Sequence, residues 1–135
     1  MMDRRAAELG ATHTKFLSPN GLNDHGHSTA RDMATITEAA FDEPLFRKIT
    51  AAKFHTIPAP PGGEPRRVQN RNVLLWLYPG ATGGKTGFTS KAGFCLIAVA
   101  ERAGRRLVAV VLGEPGEPFS DGSTLAAFVK TQIDV

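Results

Sequence analysis

Two aliphatic runs in the second half of the chain constrain its fold more than any other feature. Residues 93–100 and 106–113 are each of strand length, and only Glu101-Arg102-Ala103-Gly104-Arg105 separates them. Two such runs joined by a short polar loop read as an antiparallel hairpin. At 135 residues the chain is one domain or a large piece of one, and a composition that is 41% hydrophobic and 21% charged is that of a globular protein.

Helical signals dominate the first half. Residues 3–9 read as the end of a helix, with Ala6, Ala7 and Leu9 apolar among charges and Gly10 able to close it in the left-handed conformation. A helix starting at residue 1 with no cap before it is expected to have lost its front half. Residues 12–24 are polar, and Ser18-Pro19-Asn20-Gly21 is a strong turn signal. A second helix is expected near Ser28, whose hydroxyl suits an N-cap, with Met33, Ile36, Ala40 and Phe41 at helical spacing and Pro44 just past its end. Leu45, Phe46 and Ile49 suggest a further helical turn.

Residues 53–58 suit a strand, and the Pro/Gly-rich stretch 58–65 a turn. Val73-Leu74-Leu75-Trp76 reads as a compact buried segment, and residues 79–84 as a glycine-rich bend. Leu125, Phe128 and Val129 fall on one face of an expected closing helix over 122–133.

Several function classes are disfavoured at once. The formal charge is only +3, and the clusters Arg4-Arg5, Arg66-Arg67 and Arg105-Arg106 form no single stripe with interleaved aromatics, so no nucleic-acid partner is expected. A single cysteine, Cys95, precludes an internal disulfide and a cysteine-rich zinc site. Lying between Phe94 and Leu96, it reads as a core thiol rather than a nucleophile. His25 and His27 beside Asp24 and Asp32 read as surface chemistry, with no metal, and Arg31 is expected to pair with Asp32. Trp76 is expected in the core. The apolar runs are too short to span a bilayer, and the first ten residues lack the apolar core of a signal peptide.

The informative motif is Lys85-Thr86-Gly87, set in Gly83-Gly84-Lys85-Thr86-Gly87-Phe88-Thr89. It follows glycines and precedes a hairpin, so an exposed strand edge is expected. There a lysine offers a fixed positive charge, a threonine a hydroxyl for a carboxylate, and a glycine room for a peptide to lie along the strand. This triplet is one of three signatures of β-lactamases and penicillin-binding proteins.

The flanking segments carry the resemblance further. Asn70-Arg71-Asn72-Val73-Leu74-Leu75, Tyr78-Pro79-Gly80 and Ala92-Gly93-Phe94-Cys95-Leu96 surround the motif. Upstream stand Ala7-Glu8-Leu9-Gly10-Ala11, Thr14-Lys15-Phe16, Gly21-Leu22 and Ser28-Thr29-Ala30-Arg31-Asp32-Met33-Ala34. In order and spacing these resemble the low-molecular-weight D-alanyl-D-alanine carboxypeptidases, from about Met2 to about Gly113.

That resemblance implies an α/β fold of the penicillin-binding-protein and β-lactamase type, an antiparallel sheet flanked by helices. Residues 1–135 would be the C-terminal portion of the catalytic domain, without its N-terminal part. It implies a serine hydrolase that trims the terminal D-alanine of peptidoglycan stem peptides through an acyl-enzyme. Lys85 would orient catalytic groups and substrate carboxylate, Thr86 would hold that carboxylate, and the backbone N–H of Phe88 would be one arm of the oxyanion hole. Gly87 would leave room for substrate, and Thr89 would either contact the carboxylate or support the groups that do. No cofactor is implied. The expected partners are the stem peptide, β-lactam antibiotics as inhibitors of the intact parent, and the missing N-terminal part of the same domain. The intact parent would act outside the cytoplasm, in the cell envelope.

The departures matter as much. No serine here is followed three residues later by lysine, so the Ser-x-x-Lys nucleophile motif is absent. Ser18-Pro19-Asn20 matches Ser-x-Asn by letter, but it sits in the turn that follows the family's own motif. The arginine that the family often carries before its closing helix is replaced by Phe119-Ser120-Asp121-Gly122. The chain alone is therefore expected to be inactive. The alternatives are a non-catalytic remnant that binds D-alanyl peptides, or a fragment of a β-lactamase relative.

Overall fold

The computed structural model describes residues 1–23 and 25–115. Asp24 and the expected closing helix over 122–133 lie outside the described residues.

Helix α1 (Met2–Glu8) ends as its sequence dictates. Gly10 adopts φ +86°, and the N–H groups of Gly10 and Ala11 return to the carbonyls of Ala7 and Ala6, at 3.0 and 2.9 Å. That is a Schellman closure, which satisfies two carbonyls the helix leaves open. Helix α2 (Ala30–Phe41) is capped by Thr29, whose hydroxyl accepts from the Asp32 N–H at 3.1 Å. The cap is thus one residue later than Ser28, whose hydroxyl instead meets that of Thr14 at 2.8 Å. Pro44 does follow α2, and it also opens α3 (Pro44–Ala51) in the first turn, where its missing N–H costs nothing.

Strands β1 (Phe54–Ile57) and β2 (Arg66–Gln69) form a separate antiparallel hairpin around the Pro/Gly-rich turn, and both are exposed along their length. A short helix α4 (Leu74–Leu77) follows, with Leu74 and Leu75 buried. Trp76 on the same turn does not enter the core: it is 39% exposed and meets the Phe54 ring edge-on at 6.0 Å.

The main sheet is antiparallel, in the order β3 (Ala81–Thr89), β4 (Gly93–Arg102), β5 (Arg105–Glu114). The β4–β5 hairpin forms where the aliphatic runs require it. Its turn is tighter than the five-residue loop suggests, because Arg102 pairs with Arg105 around Ala103 and Gly104, both at positive φ.

Helices cover both faces of this sheet. Leu96, Ala98 and Ala100 cluster with Leu74 and Tyr78 on the α4 side. Residues of opposite parity, such as Gly83 and Val99, face α2 and α3, where Phe41 is fully buried. Cys95 is only half-buried, its thiol 3.9 Å from the Ala92 carbonyl, rather than a closed core thiol.

Candidate functional site

The bend expected at 79–84 is in fact the beginning of β3, and the reason is tertiary. Gly83 and Gly84 sit at φ +151° and +132°, backbone that side chains rarely adopt. A Cβ on Gly84 would lie 2.0 Å from the Ile97 carbonyl, and one on Gly83 would lie 2.5 Å from the Thr50 hydroxyl. The two glycines let β3 press against β4 and α3, and the strand then runs unbroken into Lys85-Thr86-Gly87.

From Lys85 onward the strand opens to solvent. Lys85, Gly87 and Phe88 are exposed, and Thr86 and Thr89 are half-buried. Among the described strands β3 pairs only with β4, so its other edge is open. The Lys85 ammonium donates to the Thr86 carbonyl. Gly87 differs from the earlier glycines, since a Cβ there would meet only the Cys95 Cβ at 3.9 Å, an ordinary contact. Nothing among the described residues therefore requires glycine at this position. Phe88 stacks on its cross-strand partner Phe94, with ring centroids 4.3 Å apart. The Thr89 hydroxyl accepts from the Ala92 N–H at 3.0 Å and so closes the turn into β4.

Two asparagines that motif reading passed over as mere flanks fix the strand. Asn72, 1% exposed, donates to the Gly83 carbonyl at 3.0 Å and accepts from the Leu74 N–H at 3.2 Å. It thereby ties the start of α4 to β3. Asn70 donates to the carbonyls of Thr50 and Ala52, each at 3.1 Å, and accepts from the Asn72 N–H. The available signal was the Asn-x-Asn pattern before a short apolar run, which is suited to capping.

A cleft of about 340 Å³ adjoins the open end of β3, walled by Lys15, Phe16, His27 and Ser28 on one side and Thr89 and Lys91 on the other. Its loop wall is held by two carboxylates. Asp3 accepts from the Lys15 ammonium at 2.5 Å and from the Phe16 N–H at 2.7 Å. Asp32 accepts from the Thr14 hydroxyl at 2.8 Å and from the His13 N–H at 2.7 Å. Both carboxyls titrate below the usual carboxylate value, Asp3 chiefly through Lys15 and Asp32 chiefly through the Thr14 hydroxyl, which outweighs the cost of burial. Asp32 is therefore engaged by the loop in place of the expected pairing with Arg31. His27 joins the wall through its backbone, which bridges to Lys15. Among the described residues no three His, Cys, Asp or Glu side chains gather as a metal site.

A family profile described as D-alanyl-D-alanine carboxypeptidase matches residues 1–116. A D-alanyl-D-alanine carboxypeptidase of Mycobacterium tuberculosis is 41% identical over 114 residues, covering 82% of this chain and 38% of that relative. One from Bacillus subtilis is 35% identical, covering 83% of this chain and 29% of the relative. Among solved structures, a D-alanyl-D-alanine carboxypeptidase from Mycobacterium tuberculosis superimposes with a TM-score of 0.85 at 38% identity, over 98% of this chain and 50% of that one. A variant of the Streptomyces K15 DD-transpeptidase gives 0.83 at 29% identity, over 99% and 53%. The chain thus spans less than half of these curated relatives and about half of these solved chains.

Proposed function

The chain belongs to the D-alanyl-D-alanine carboxypeptidase family, and from that premise we propose that residues 1–135 form the C-terminal portion of a serine carboxypeptidase catalytic domain. Its part in the reaction is to hold the D-alanyl-D-alanine end of a peptidoglycan stem peptide along β3. One observation carries this reading: Gly87 lies on a strand edge unpaired among the described strands, where a Cβ would meet, among the described residues, only the Cys95 Cβ at an ordinary 3.9 Å.

A peptide laid against that edge adds a strand to the sheet, using backbone groups that point away from β4. The Thr86 hydroxyl receives the terminal carboxylate, and the Lys85 ammonium supplies positive charge beside it. The Lys85 ammonium, which donates to the Thr86 carbonyl next along the strand, supports this reading. In this reading the Phe88 N–H turns to the open side of the strand and donates to the carbonyl oxygen that becomes negative on attack. Thr89 contacts the peptide at the far end.

Attack on that carbonyl needs a serine and a base, and the sequence contains no Ser-x-x-Lys. Bound peptide is therefore left uncleaved by these residues, and a fluorescent penicillin forms no covalent adduct with them. The intact enzyme takes stem peptide as substrate and β-lactams as acylating inhibitors, and acts in the cell envelope. No described helix is long and apolar enough to cross a membrane.

The test is an NMR titration of the 135-residue chain with a peptide ending in D-Ala-D-Ala and with its L-Ala-L-Ala counterpart. Shifts along 85–89 with the first peptide only, abolished by Gly87→Val, are expected. An equal response to both peptides, or a response remote from β3, overturns the reading.

A further inference from the structure

The β1–β2 hairpin carries a feature that the β3 site does not use. Phe54 and Trp76 are 44% and 39% exposed, and their rings meet edge to face at 6.0 Å and 81°. Each carries a cation: the Arg67 guanidinium lies 4.1 Å from the Phe54 centroid, and the Lys53 ammonium 5.7 Å from that of Trp76. The platform is also rigidly based. Asn70 donates its N–H to the Lys53 carbonyl at 2.9 Å, while its side chain holds the end of α3. Charge gathers here as well. The stretch 53–78 holds Lys53, Arg66, Arg67 and Arg71 against Glu64 alone. Four cations against one carboxylate is an excess equal to the formal +3 of the whole chain.

We propose that this aromatic–basic platform is a second docking surface, for the carboxylate-bearing glycopeptide polymer itself, apart from the D-alanyl end that β3 holds. The identity of the polymer rests on the reading of β3 above. Charge complementarity points to an anionic partner, and flat rings offer stacking area to a sugar ring or to a peptide plane. A bilayer fits less well. The guanidinium over Phe54 puts a charge on the surface that a lipid interface would have to bury. The remaining exposed apolar side chains of the hairpin, Ile57 and Val68, project from its other face by strand alternation. A glycopeptide binds such a surface in water, through ion pairs that salt weakens.

Co-sedimentation of the 135-residue chain with insoluble peptidoglycan tests this, at low and at high salt. Salt-sensitive binding is expected, about tenfold weaker in the double variant Lys53→Gln/Arg67→Gln and in Trp76→Ala. Arg67→Lys, which keeps the charge and loses the planar stack, gives a smaller loss. Unchanged thermal melts of these surface variants exclude misfolding as the cause. If Gly87→Val abolishes sedimentation while the hairpin variants sediment like the wild type, the platform is overturned and the β3 reading stands. If the hairpin variants lose sedimentation while no D-alanyl peptide binds at β3, the platform stands and the β3 reading fails. Transfer of the binding to vesicles of anionic phospholipid, with the same residue dependence and none to peptidoglycan, overturns the polymer as partner.

Discussion

Strand β3 is two regions in one. From Ala81 to Gly84 it is buried or half-buried, pressed against Ile97 on β4 and Thr50 on α3, and held from beneath by Asn72. From Lys85 to Thr89 it opens to solvent, with one edge unpaired among the described strands. Glycine stands in both halves for different reasons. In the first, neighbouring atoms and positive φ forbid a side chain; in the second, nothing among the described residues forbids one. The first half makes the second precise, because an edge can register a peptide only if its own position is fixed. Glycine at Gly83 and Gly84 thus speaks of the fold, and glycine at Gly87 of what lies outside it.

The largest effect expected from this contrast is Gly84→Ala. With the Ile97 carbonyl 2.0 Å from the new Cβ, the strand must shift off β4, at a cost above about 4 kcal/mol. Gly87→Ala should stay within about 0.5 kcal/mol of wild type. Chemical denaturation of the two variants side by side decides the matter, and equal losses break the comparison. Next in size is Asn72→Ala, which leaves the Gly83 carbonyl and the Leu74 N–H without their buried partner. A loss of about 2–3 kcal/mol is expected. Near-neutral behaviour would mean that β3 does not depend on that tie.

The same contrast explains what the sequence disclosed. The β4–β5 hairpin was legible because Val, Ile and Leu runs around Ala103-Gly104 specify it locally, and α3 was legible from Leu45, Phe46 and Ile49. The antiparallel sheet with flanking helices followed from Lys85-Thr86-Gly87 and its ordered flanks. The start of β3 was not legible, because Gly83-Gly84 has the composition of a bend. Only the approach of Ile97 and Thr50, distant in sequence, makes it a strand. Strand β2 was missed because Arg66-Arg67-Val68-Gln69 buries nothing and so shows no alternation. Trp76 misled for a related reason: large aromatics usually seek the core, whereas this one packs on a surface hairpin. Of the candidate site, the residue types were legible and the support was not, since Asn72 acts through a backbone carbonyl eleven residues away.

Binding sharpens the contrast at an intermediate scale. Thr86→Val removes a hydroxyl that is half-buried on the open edge and changes little volume. Affinity for a D-Ala-D-Ala peptide should fall about tenfold, some 1.4 kcal/mol, with the melting temperature unchanged. A parallel fall in both quantities would assign Thr86 to the fold rather than to the ligand.

The smallest effect concerns the loop that walls the cleft at the open end. Asp3 and Asp32 hold residues 13–16, and both carboxyls titrate below their ordinary value. A depressed folded-state pKa means that the unfolded chain takes up the proton first. The stabilisation is therefore complete above the ordinary carboxylate range of about 4 and fades as pH falls through the lower folded values. Acid should loosen residues 13–16 before it touches Ala81 to Gly84, whose ties to Asn72 and Ile97 involve no titrating group. Hydrogen exchange between pH 6 and pH 3, corrected for intrinsic rates, should show protection lost first at His13 and Phe16, whose N–H groups these carboxylates accept. Asp32→Asn keeps an acceptor oxygen but no titration, so it should flatten the acid response at His13 and leave that at Phe16. If both halves of β3 and the loop lose protection together, the loop is part of the same rigid unit, and the division between a fixed scaffold and an adjustable mouth does not hold.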